Sequence, residues 1–145
     1  MNVALYVLIC SEAEADLHAY RRGREAGVTV RIIRGTRCTV LDRCMGELAA
    51  ALQLPYCFEN TWGSFTQCLK DVQWPPGRLV LLLSRADRIL PRAPADFAAF
   101  LGALQQYATS RDLNVILHTQ APFEQSLRER VASALPELQL ESLML

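Results

Sequence analysis

The run Leu79-Val80-Leu81-Leu82-Leu83 constrains this chain more than any other stretch, because five consecutive apolar residues leave neither face of a strand for water. A strand of that kind belongs inside a sheet covered on both sides. Such sheets are parallel, since the helices that connect their strands lie on the two faces. Residues 2–9, dominated by Val, Leu, Tyr and Ile, read the same way, and Val28–Ile33 and Leu113–Leu117 complete a set of four. Segments of helical spacing separate them. The fold class is therefore α/β, a parallel sheet flanked by helices, and the order of residues 2–33 implies that the first two strands form a parallel pair with a right-handed crossover.

Each helical segment carries its own punctuation. Ser11 caps the first, with Glu12 and Glu14 near its positive end; Leu17, Tyr20 and Ala13 form its inner stripe, and Gly27 stops it after Arg21, Arg22 and Arg24. That arginine group reads as a solvated helix end. Thr39 opens the second, whose Leu41, Cys44, Met45, Leu48 and Leu52 recur at helical steps. Pro55 ends it near Leu52, because a residue before proline avoids helical backbone. Asn60 or Thr61 then caps a third helix, where Trp62, Phe65, Cys68, Leu69 and Val72 make the apolar stripe. Trp74-Pro75-Pro76-Gly77 is a turn. Arg85 to Arg92 reads as a charged surface connector and a candidate binding rim, Arg85, Arg88 and Arg92 being an alternative interface. Pro94 or Ala95 starts a helix with Phe97, Phe100, Leu101, Leu104 and Tyr107 inward, Pro122 starts another with Leu127, Val131 and Leu135, and Leu138–Leu145 is a last strand or a packed tail.

The middle of the chain resembles the barstar family of intracellular ribonuclease inhibitors. The likeness rests on Leu54-Pro55, the aromatic-rich Tyr56 to Phe58, the helix start Thr61-Trp62-Gly63-Ser64-Phe65, the run Cys68-Leu69-Lys70-Asp71 and Trp74. It spans about Val28 to Thr119, so the resemblance implies one barstar-like layered domain over residues 1–145, with a family-like core at 28–119, an N-terminal strand-helix extension at 1–27 and a C-terminal helical extension at 120–145. In the family, carboxylates stand in for RNA phosphates. Here the two early acidic places fall on Gly63 and Gln67, and the later one near Gln105. An amide offers only neutral hydrogen bonds where a carboxylate offers charge-assisted ones, and glycine offers none. The framework resembles the family; its inhibitory chemistry is altered.

Periodicity turns Phe58 and Trp62 inward and leaves Tyr56, Cys57, Glu59, Asn60, Thr61, Gly63, Ser64 and Gln67 as an exposed edge, which Gln105 joins if its helix lies alongside as in the family. This edge is the expected partner-binding surface. The implied function is an immunity protein or antitoxin that blocks the cleft of a bacterial toxin, a ribonuclease or another class, in a 1:1 complex. A regulatory adaptor is the non-catalytic alternative.

Composition narrows the field. With 15 basic and 15 acidic residues in 145, neither nucleic acid nor an anionic membrane is an expected partner, and long-range steering toward a basic toxin is weak. The 51% hydrophobic content supports a sizeable core without a metal or disulfides. Five cysteines in no Cys-x-x-Cys pair read as reduced thiols, Cys44 and Cys68 as small core residues, and the expected compartment is the cytoplasm. The apolar opening, broken by Ser11 and Glu12, reads as a strand and not as a signal peptide or span. No phosphate-loop pattern occurs, and no cofactor, metal site or catalytic residue is expected. One enzyme reading survives: Cys10, Ser84 and His118 stand at the carboxyl ends of strands, where a Cys/His pair could form a hydrolase nucleophile.

Overall fold

The structure is a computed structural model that describes residues 4–55 and 58–145. Its strands are β1 (Ala4–Ile9), β2 (Val28–Arg34), β3 (Arg78–Ser84), β4 (Leu113–Thr119) and β5 (Glu141–Ser142). They form one sheet in the order β2-β3-β4-β1-β5, parallel throughout. The five-residue apolar run lies in β3, and every one of its side chains is buried. β4 beside it is buried from end to end.

The helices are α1 (Glu12–Gly23), α2 (Leu41–Leu52), α3 (Trp62–Asp71), α4 (Pro94–Tyr107) and α5 (Glu124–Ala134). They divide unevenly. On one face α1 alone packs Ala15 and Ala19 against Leu8, Val80, Leu82 and Ile116. On the other face α2 to α5 share the main core, including Leu48, Phe65, Phe100 and Leu127 against Ile33, Leu81, Leu83 and Val115. The central strands β3 and β4, buried between these layers except at Arg78, give the α/β parallel architecture that the sequence implies.

Several local expectations are corrected. β1 and β2 are parallel but not neighbours: β3 and β4 lie between them, because β1 pairs with β4. The inner stripe of α1 is Ala15 and Ala19, whereas Leu17 and Tyr20 are 46% and 63% exposed. Ala13, Leu17 and Tyr20 do share one side of the helix, but small alanines let the backbone approach a sheet face already filled with Val, Leu and Ile, so the bulky stripe is turned out. Ser11 caps α1 as expected, in a reciprocal box with Glu14. The helix stops at Gly23, before Gly27. Gly27 instead turns the chain into β2 with φ 74°, where a side chain would strain the backbone, and a Cβ at Gly77 would come within 2.1 Å of the Gly27 carbonyl oxygen.

The connector after β3 is not a simple surface loop. Ala86–Arg88 makes a 3-10 turn, and Ala86, Ile89 and Leu90 are fully buried. Arg130 of α5 holds it down, donating to the carbonyls of Asp87, Ile89 and Leu90 while its guanidinium lies 4.0 Å from the centre of the Phe97 ring. Burial pushes the Arg130 pKa down, against a smaller upward pull from Asp87. Of the two options for the tail, the strand forms: Glu141 and Ser142 pair with Tyr6 and Val7, and Leu143 N–H donates to Val7 at 2.8 Å.

Candidate protein-binding face

α3 begins at a well-made cap. Thr61 has extended backbone and its hydroxyl accepts from Ser64 N–H at 3.1 Å. The Ser64 hydroxyl then accepts from Glu59 N–H at 2.9 Å, so the segment before the helix is tied to its first turn. Asn60 takes the left-handed conformation (φ 58°), which asparagine tolerates better than most residues and which reverses the chain into the cap. Beneath this ridge is an aromatic cluster. Phe65 is fully buried and stands edge-on to Phe58 (6.5 Å) and Trp62 (5.8 Å), with Phe100 of α4 6.1 Å away. Trp62 Nε1 donates to Asp96 of α4 at 3.0 Å, locking α3 to α4 by a directional bond as well as by packing.

On that base Glu59, Asn60, Thr61, Gly63 and Gln67 are exposed and Ser64 is half-buried. A Cβ added at Gly63 would meet nothing within 4 Å, so the space above it is open. Tyr56 and Cys57 lie outside the described residues. Gln105 is exposed but does not join the group. Asp96, Phe100, Ala103 and Tyr107 recur at four-, three- and four-residue steps on the flank of α4 that meets α3, while Pro94, Ala98, Leu101 and Gln105 form the stripe turned toward α5. Gln105 borders a hollow of about 160 Å³ with Ala134 to Leu138, at and just after the end of α5. Gln105 is turned away by the register between the two packed helices, which cannot be counted from either helix alone. Thr66, on the polar side of the helix, is half-buried, its hydroxyl donating to Trp62 C=O at 3.1 Å.

The carboxyl ends of the strands, where the enzyme reading placed its residues, are occupied by the chain's own pairs. His118 is fully buried between two backbone groups: its Nδ1 accepts from Arg85 N–H (3.1 Å) and its Nε2 donates to Cys10 C=O (2.9 Å). The imidazole therefore contacts the carbonyl of Cys10 and has no nitrogen left to activate its thiol. Burial, and then the Glu14 charge, push that thiol's pKa up, away from a thiolate. Ser84 donates to Glu12 at 3.1 Å. Arg34 holds Asp16 through both nitrogens (2.8 and 3.2 Å) and its backbone N–H donates to Glu47 at 2.8 Å. Arg85 holds Asp87 in the same forked way (3.0 and 2.8 Å), and Thr119 donates to Asp87 at 2.6 Å. Burial alone would raise the Asp87 carboxyl, but the bonds from Arg85 and Thr119 outweigh it and hold Asp87 below the usual range. Among the described residues no cluster of His, Cys, Asp and Glu could hold a metal, and no helix is long and apolar enough to cross a membrane.

Comparison with known proteins decides what this framework is. The sequence matches Barstar (barnase inhibitor) over residues 28–133, most of the chain. The chain belongs to the barstar family. That membership supports an inhibitor-type, protein-binding role, since barstar-family members are inhibitors and not enzymes. No curated protein matches the sequence. Among solved structures the fold is similar to chains in Drosophila ORC bound to AT-rich DNA and Cdc6 (TM-score 0.66, 11% identity, 97% of this chain and 25% of that one), in Drosophila ORC bound to DNA (0.66, 10%, 98% and 26%) and in Drosophila ORC bound to GC-rich DNA and Cdc6 (0.64, 12%, 99% and 26%). At that identity the likeness concerns the fold alone, and the chain spans about a quarter of the length of the chains it matches.

Proposed function

We propose that this barstar-family chain is an immunity protein or antitoxin: a cytoplasmic, stoichiometric inhibitor whose α3 ridge enters the active cleft of a bacterial toxin. The observation that carries the reading is the contrast within α3, a polar outer edge from Glu59 to Gln67 standing on the buried Phe65 cluster. A ridge held that rigidly loses little freedom on binding, which favours affinity without large contact area. Glu59, Asn60, Thr61, Gly63, Ser64 and Gln67 are the proposed contacts, with Tyr56 and Cys57 as further candidates. One domain, one partner and no chemistry of its own complete the proposal.

The target is a ribonuclease met by other contacts, or a toxin of a different class, because Gly63 and Gln67 carry no charge to set against a cationic cleft. Co-expression with the product of the adjoining reading frame tests this. A product that is toxic alone, harmless with this chain and co-purified with it in equal amounts supports the proposal. A harmless product, or a toxic one that forms no complex, overturns it. A second reading, a regulatory adaptor that kept the scaffold without a toxin target, draws on the fold neighbours, which are parts of a larger DNA-bound assembly. Capture of a non-toxic partner through the same ridge would select it.

A further inference from the structure

Among the described residues β2 forms one margin of the sheet, bonded to β3 on one side and to no strand on the other. Gly27 C=O accepts from Arg78 N–H at 2.8 Å, so the odd-numbered backbone groups point toward β3. By alternation along the strand, those of Val28, Val30, Ile32 and Arg34 point outward. Three of these are taken: Val28 N–H by Glu25 C=O (3.3 Å), Val30 C=O by the Arg31 guanidinium (3.0 Å) and Arg34 N–H by Glu47 (2.8 Å). The N–H groups of Val30 and Ile32 and the C=O of Ile32 are left open among the described residues.

Beside this margin runs a groove of about 520 Å³ between α1 and the sheet, walled by Ala19, Val28, Val30 and Ile32. Gly23 keeps it open, for even a Cβ there would already touch Val30 at 3.7 Å. Its charge is uncommitted and positive. Arg24 lies over the Tyr20 ring and Arg31 over the Trp74 ring, neither with a carboxylate partner among the described residues, while Asp16, the acid that lines the groove, is held by Arg34.

We propose that the β2 margin is a second docking site, which takes an extended segment of a partner protein as a sixth strand. Open N–H groups at two-residue spacing are matched by a strand and not by a helix, whose own groups are paired. Alternate apolar side chains of the segment fill the groove, and the acidic ones between them, on the opposite face of the sheet, meet Arg31, which lies there with Trp74. A carboxylate also draws Arg31 off the Val30 carbonyl, which frees that acceptor for the incoming backbone. The site is separate from the ridge, since α1 and α3 lie on opposite faces of the sheet.

Amide hydrogen exchange tests this with a synthetic peptide of about nine residues that alternates Val and Glu, and a Val/Lys peptide as control. The Val/Glu peptide should slow exchange at Val30 and Ile32 by about tenfold or more and leave Glu59 to Gln67 unchanged. Arg31→Glu should move the preference to the Val/Lys peptide, and Gly23→Leu, which fills the groove, should weaken binding by roughly fivefold or more. No slowing at Val30 and Ile32 with either peptide overturns the site. Indifference of binding to Arg31→Glu overturns the acidic partner. A doubled mass in solution with both amides already protected overturns it too, by making a second copy the occupant.

Discussion

The α3 ridge and the carboxyl edge of the sheet are both rich in polar side chains, yet they dispose of them in opposite ways. At the sheet edge nearly every polar atom is matched within the chain: His118 to two backbone groups, Asp87 to Arg85 and Thr119, Arg34 to Asp16, Ser84 to Glu12. On the ridge, the polar atoms that are matched (Thr61, Ser64) shape the backbone, and Glu59, Asn60 and Gln67 stand exposed. Ligands of open α/β sheets gather beyond the carboxyl ends of strands, because loops diverge there. Here that crevice is filled from within. The difference teaches that position in the fold does not by itself leave a surface free to bind; unmatched polar groups do.

The ridge is claimed to be rigid, and its anchor is the first place to break that claim. Phe65→Ala removes a fully buried ring that touches three other aromatic side chains. It should cost about 3–5 kcal/mol in urea unfolding. A loss under about 1 kcal/mol would mean that the ridge is a loose attachment and would remove the physical basis for its affinity.

The sheet edge should behave as structure and not as a site. Asp87→Ala leaves Arg85 and Thr119 without their shared acceptor at a position nine-tenths buried, and should cost about 2–3 kcal/mol while leaving partner binding through the ridge unchanged. Because the Asp87 pKa is lowered in the folded state, its contribution is fully present above the unfolded value near 3.9 and is lost as pH falls through the lower folded value. Urea titrations from pH 5 to about 2 should therefore show a steeper acid loss in the native chain than in Asp87→Asn. Equal slopes would show that other carboxylates govern the acid limit.

The ridge's backbone shape depends on one cap. Thr61→Ala should cost about 1 kcal/mol and weaken partner binding by more than the stability loss explains, because Glu59 and Asn60 lose the geometry set through Ser64. Binding that follows stability alone would separate the cap from the interface.

How much of this could be read from the chain follows from which forces are local. Apolar runs and helical periods exposed the strands, the caps at Ser11 and Thr61 and the inward faces of α2 to α5, because those depend on neighbours within a turn or two. The resemblance around Leu54-Pro55 and Cys68-Leu69 pointed to the family. Reading failed where the outcome depended on what lies opposite. Ala15 and Ala19 face the sheet in place of Leu17 because the sheet supplies the bulk. Ile89 and Leu90 are buried because Arg130, some forty residues on, clamps their carbonyls. Gln105 faces α5 and not α3 for the same reason, and the separation of β1 from β2 is a property of the whole sheet.

The smallest effect on stability carries the sharpest test of the ridge. Gly63 occupies one of the two early places where the family carries an acid, and the open space above it admits a side chain without displacement. Gly63→Asp adds a carboxylate in the first turn of α3, where the positive end of the helix favours it, and replaces the residue that costs a helix most backbone entropy. Thermal unfolding should thus be unchanged or shifted upward, by about 0.5–1 kcal/mol. If the framework has kept the family's geometry and lost only its charge, this variant together with Gln67→Glu should gain measurable inhibition of a basic bacterial ribonuclease at low salt and lose it as salt rises. A stable double variant with no inhibition at any ionic strength would mean that the ridge has diverged in shape as well as in charge, and that its partner lies outside the ribonucleases.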